Sequence, residues 1–139
     1  MENTKISKRI RFGRVSYLTL AVIFAVCTII QIFIAGLAIF VNPVNWTKHF
    51  IFVHLFGFNT PLFMLVMAFV GRMPRWAYWQ ILGLLVCIFS MYFTANSRGA
   101  LPWAGAAHPV IATLLFILSL TIVTKTWHLL YKKSSESGK

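Results

Sequence analysis

Apolar residues run in four long stretches separated by short polar breaks. The first covers Val15–Val41, the second about Trp46–Val70 and the third about Trp76–Thr94. The fourth covers His108–Tyr131, or starts earlier if Pro102 opens it. Each is close to or above the roughly twenty residues a helix needs to cross a hydrocarbon core. The breaks hold residues that stop helices. Asn42-Pro43 ends the first run, because proline has no N–H to give and its ring clashes with the preceding turn. Gly71-Arg72-Met73-Pro74-Arg75 reads as a short turn, and Ala95–Ala107, with Gly99, Pro102 and Gly105, as the longest connection. The pattern predicts an all-α, polytopic integral membrane protein. A four-transmembrane-helix bundle over residues 15–131 lies between a basic segment, 1–14, and a polar tail, 132–139. The first run has the basic start of a signal peptide, but it outlasts an h-region of about 7–15 residues and three more runs follow it.

Composition agrees with this reading. Of 139 residues, 59% are hydrophobic and only 11% charged, against about 25% charged in a soluble domain. The charge is one-sided, with 13 Lys and Arg against 2 Asp and Glu. The bases cluster at the ends of the apolar runs, where anionic headgroups attract them, and not on a soluble basic face, so nucleic acid is not an expected partner. The N-terminal segment (Lys5, Lys8, Arg9, Arg11, Arg14), the turn (Arg72, Arg75) and the C-terminal end (Lys125, Lys132, Lys133, Lys139) share one side, leaving Lys48 and Arg98 on the other. The excess of positive charge predicts that both termini are cytoplasmic (N-in/C-in). Tyr17, Trp76, Tyr78, Trp79, Trp127 and Tyr131 fall at the inner boundary, and Trp46, Tyr92 and Trp103 at the outer one, as amphipathic rings prefer. Asn45-Trp46-Thr47 fits the glycosylation pattern but lies against the membrane.

The polar residues inside the spans narrow the chemistry. Both acidic residues, Glu2 and Glu136, lie in the tails. That excludes paired-carboxylate hydrolysis, carboxylate-ligated metals and the membrane carboxylate on which proton-coupled carriers depend. Cys27 and Cys87 fall mid-helix and read as small apolar side chains. What remains is His49, His54, His108 and His128, with Gln31, Asn59 and Gln80. His54, Gly57, Pro61 and Met64 follow helical steps of three and four, which predicts one face carrying an imidazole, a gap in side-chain bulk and a proline kink. His108, Ala112, Leu115 and Ser119 form a matching stripe on the fourth helix. Gln31, Ala35, Ala38 and Asn42 on the first helix, and Gln80, Gly83, Cys87, Ser90 and Thr94 on the third, are further inward candidates.

Two neutral imidazoles on facing helices are the ligand set of a b-type haem. His54 and His108 are therefore the candidate axial ligands, with Gly57 and Gln31 shaping the pocket and Arg98 (with Lys48) available to propionates. His49, beside Lys48 and Trp46, reads as the wetter alternative to His54. A quinone is a second cofactor expectation, since imidazole and Gln31 suit its carbonyls. The alternative is a cofactor-free accessory or interaction subunit, or an oligomeric carrier, in which the histidines tie helices together and Ala21 and Ala25 form a small-residue contact. Catalysis by a histidine base is the least supported reading, because no serine–histidine pairing or reactive cysteine accompanies it.

Gln31-Ile32-Phe33-Ile34-Ala35-Gly36-Leu37, then His54-x-x-Gly57, then His108-Pro109, resembles a set of small bacterial four-span membrane proteins of uncharacterised function. The resemblance implies a bacterial inner or plasma membrane and brings no activity. The arrangement is also similar in general style to four-helix membrane b-type cytochromes, though with two ligand candidates rather than four, which implies a single haem.

Overall fold

The structure is a computed structural model that describes residues 7–135, with side chains to Tyr131. The expectations for Lys5 and for the side chains of the 132–139 tail lie outside the described residues. Five α-helices follow in order: α1 (Lys8–Phe40), α2 (Asn45–Phe56), α3 (Asn59–Val70), α4 (Arg75–Ser97) and α5 (Pro102–Ser135). Helices α2 and α3 together make the second of four stretches long and apolar enough to cross a membrane. The protein is thus a four-span helical bundle, and no strand occurs among the described residues.

Two boundaries differ from the sequence reading. Helix α1 begins at Lys8 rather than Val15, so much of the basic N-terminal segment is helical. At 33 residues it is about 50 Å long, well beyond a core of about 30 Å, and its basic first turns project past the apolar slab. Helix α5 opens at Pro102, where a missing N–H costs nothing, and runs through Pro109. The second span breaks at Gly57–Phe58. Pro61 has no N–H for the Gly57 carbonyl, and the helical pattern resumes when Leu62 N donates to Phe58 O at 3.2 Å.

The spans form a ring in which α1 packs on α2, α3 and α5, α5 packs on α4, and α4 returns to α3. Helices α1 and α4 are diagonal, so Cys27 and Cys87 sit on spans that do not touch, and both are free thiols. The core consists of inward residues at helical spacing: Tyr17, Ala21 and Phe24 on α1, Met64 and Ala68 on α3, Ile81, Leu84 and Ile88 on α4, Leu115 and Ile122 on α5. Ala21 and Ala25 are buried inside the chain, so this small-residue pair serves the internal packing of α1 and is not free to meet a second copy. The outward faces carry bulky apolar residues such as Phe33, Phe63, Trp79 and Phe89. That surface suits lipid, which imposes no penalty on it.

Two devices fix the ends of the bundle. At the end holding both termini, here called the basic end, α1 meets the α3–α4 turn backbone to backbone. A Cβ on Gly13 would overlap the backbone of Gly71, and one on Gly71 would lie 2.8 Å from Arg14 N. Arg14 Nε donates to Gly71 O at 3.0 Å, and Arg72, with φ of 43°, turns the chain toward Pro74. At the opposite, distal end, Asn45 Nδ2 donates to Leu37 O (3.4 Å) and Asn42 O (3.1 Å), adding to the backbone bonds those carbonyls already accept and tying the start of α2 to the end of α1.

Candidate functional site

The distal half holds three of the four histidines and the buried amides of Gln31 and Asn45. His49, on the inner side of α2, is half-buried. Its Nδ1 lies 3.2 Å from the backbone oxygen of Gln31, and Gln31 Nε2 donates back to His49 O at 2.9 Å. Two side chains on adjacent spans therefore clasp each other's backbones. Gln31 is only 7% exposed, and its Oε1 has no partner. A buried acceptor left unmade costs about 1–3 kcal/mol, so this oxygen marks a place where a donor is wanted.

His108 is half-buried on α5, across from α4. Its Nδ1 lies 3.0 Å from Thr94 Oγ1. Thr94 directs its one hydroxyl proton at the carbonyls of Ser90 (2.9 Å) and Met91 (3.0 Å). The hydroxyl oxygen is left to accept from His108 Nδ1–H.

His54 is placed differently. It is exposed on the bundle surface, with Nδ1 2.7 Å from Phe50 O one turn back. Its ring packs on Phe50 and meets Tyr92 of α4 edge-on at 5.3 Å. The expected face of His54, Gly57, Pro61 and Met64 does not survive the helix break. Gly57, Pro61 and Met64 are buried, but the inward face of α2 is Asn45, His49, Phe52 and Phe56. The break shifts the helical phase between α2 and α3, so His54 turns outward while Met64 stays in. Gly57 also has a backbone reason to be glycine, since a Cβ there would lie 2.6 Å from Val53 O.

One feature unites the three histidines. A carbonyl oxygen only accepts, so in His49 and His54 the proton is on Nδ1, and the Thr94 geometry places it there in His108. Each imidazole then presents Nε2 as a free lone pair. Orientation of a histidine through Nδ1–H is how ligand imidazoles are held in metal and haem sites. Among the described residues no three His, Cys, Asp or Glu converge on a metal-sized point.

The backbone of α2 packs on α1 and continues into α3, and it meets α4 through the His54 and Tyr92 side chains. Counted from their helix starts, His49 lies about 6 Å deep, His108 about 9 Å and His54 about 14 Å. The Pro102 start thus puts His108 between the two α2 histidines and nearer His49. Arg98 is the exposed C-cap of α4, and Lys48 is exposed beside His49. His128 is exposed toward the basic end. The stripe of Gln80, Gly83, Cys87, Ser90 and Thr94 is half-buried to buried and packs toward α5, where a Cβ on Gly83 would lie 3.0 Å from Leu118 Cδ2.

Residues 31–98 match a protein family of unknown function, DUF6220. The match runs from mid-α1 to the end of α4. It takes in Gln31, His49, His54 and Thr94 but stops short of His108. The chain is similar to that family over this stretch, in keeping with a small multi-pass membrane protein. Neither a curated protein nor a solved structure matches the chain.

Proposed function

We propose that the protein holds a b-type haem in the distal half of the bundle, between His108 of α5 and a histidine of α2. The observation that carries this reading is the common state of the imidazoles, with Nδ1–H spent on a fixed acceptor and Nε2 free. His49 is the better partner because it faces inward, whereas His54 is exposed on the bundle surface. His54 with His108 is the variant expected from sequence. When bound, haem supplies one-electron redox chemistry. The chain's own residues would hold and orient it. Gln31 and Thr94 would fix the ligand rings, and Arg98 and Lys48 would pair with carboxylates at the distal boundary. The membrane would be a bacterial plasma or inner membrane, with the basic end cytoplasmic.

A second reading has its own observation. The reciprocal Gln31–His49 clasp joins two spans without any cofactor, which suits an accessory subunit whose histidines are helix ties. Absorption spectra of single mutants separate the two. His49→Ala and His108→Ala should each abolish a haem spectrum, and His54→Ala should keep it. Loss in His54→Ala with retention in His49→Ala would assign the other pair. Retention in all three would contradict haem ligation by these residues.

A further inference from the structure

The outward-facing His54 lies beside an open groove between the second and third spans, linked to its lining residue Phe58 through Tyr92. The groove has a volume of about 430 Å³ and is floored by Phe58, Leu62, Leu85, Val86 and Phe89, with Ser90 its one polar side chain. Ser90 Oγ is already bonded to Val86 O at 2.9 Å. Phe58 stacks flat on Tyr92 (5.6 Å, 14° between planes), and His54 meets the same tyrosine edge-on. From Phe58 to Leu62 the lining runs about 6 Å along the span, and the groove is open on its outer side.

Two polar groups lie beside this groove, His54 Nε2 and the Tyr92 hydroxyl, and the bond of His54 to Phe50 O uses Nδ1, which leaves Nε2 as an acceptor. A lipid-facing imidazole within the apolar slab is costly unless something bonds to it. The floor argues against a second helix as the occupant, because helices in membranes approach through small residues and this floor is phenylalanine, leucine and valine. An acyl chain would fill the floor but leave His54 unmet. The geometry points to a quinol, which has a flat ring, hydroxyl donors and an aliphatic tail. The ring would lie at Phe58 and Tyr92, a hydroxyl would donate to His54 Nε2, and the tail would follow the floor toward Leu62. This deepens the redox reading above and rests on it for its purpose, but the site uses different residues.

The test is calorimetric titration of the full chain, in phosphatidylcholine nanodiscs, with decylubiquinol and with decylubiquinone. Saturable binding that favours the quinol is expected. His54→Ala should weaken it about tenfold, the loss of one such hydrogen bond (about 1.4 kcal/mol). Val86→Trp should block it by filling the floor, and His128→Ala, exposed toward the basic end, should leave it unchanged. No saturable binding, equal binding in His54→Ala, or a change of oligomeric state as the only effect of His54→Ala would overturn the proposal. The haem spectrum is read on the same samples. A colourless protein that still binds the quinol would fail the haem reading alone.

Discussion

Gln31 shows how the distal half works at the scale of single residues. Its amide joins α1 to α2 through His49 O, its backbone carbonyl receives His49 Nδ1–H, and its own oxygen is left over. Gln31→Leu removes the side-chain half of the clasp and the unmet acceptor together. The lost interhelical bond is worth about 0.6–2 kcal/mol in membranes, and the orphaned oxygen offsets part of it. Denaturation in detergent should therefore show destabilisation below about 1 kcal/mol. Thr94→Val keeps shape but removes the acceptor for His108 Nδ1–H. Under the haem account it should lower cofactor affinity by about 10–100-fold, the usual effect of losing an orienting partner, with little change in helix content by circular dichroism. Of these residues, Gln31, His108 and Thr94 stood out in the sequence because a polar side chain in an apolar run is conspicuous. Their pairing did not. Counting back from the Asn42-Pro43 turn sets Gln31 opposite the region of residues 49–54, but only the helical phase of α2 chooses His49 over His54.

That phase belongs to the scale of the elements. The four spans and their stops were legible because runs of apolar residues and proline breaks are strong signals. The kink at Pro61 was legible as a kink. How far it rotates α2 against α3 was not, since a break of two residues can absorb any phase, and the expected His54–Met64 face was lost there. The Gly13–Gly71 contact was equally hidden. Neither glycine lies in a recognisable pair, and their meeting depends on α1 continuing helical seven residues before its apolar run. Because each Cβ would run into backbone rather than a flexible side chain, Gly13→Ala should destabilise the bundle by about 1–3 kcal/mol. The change should appear as a lower melting temperature in detergent. A melt equal to wild type would show that the α3–α4 turn does not seat on α1 in this way.

For the whole molecule, the ring of spans sets a stiff side against a loose one. Helices α1, α5 and α4 pack along their lengths, while α2 packs its backbone on α1 and α3 and reaches α4 only through His54 and Tyr92. His49 lies on this looser side, and the outward groove opens next to it, between α3 and α4. The bases lie mainly at the end of the termini and the Gly71–Pro74 turn, where Lys125 also sits 5.6 Å over the Trp76 ring. If that end is cytoplasmic, a cysteine placed at Gly99, in a chain with Cys27→Ser and Cys87→Ser, should react with a membrane-impermeant maleimide added to intact spheroplasts, and one placed at Arg72 should not. The reverse pattern would invert the topology. Sequence charge alone carried this expectation, because the asymmetry of bases is a property of the loops and needs no knowledge of packing.

The central claim is that the distal histidines ligate haem, and an absorption spectrum tests it most directly. The protein would be purified in mild detergent from cells supplied with a haem precursor and read oxidised, then reduced with dithionite. The account predicts a Soret band that shifts on reduction, with sharpened α and β bands of a low-spin, two-imidazole iron, at about one haem per chain. A colourless protein that neither gains the spectrum nor binds added haemin would contradict it, leaving the Gln31–His49 and Thr94–His108 bonds as ties that hold the bundle together.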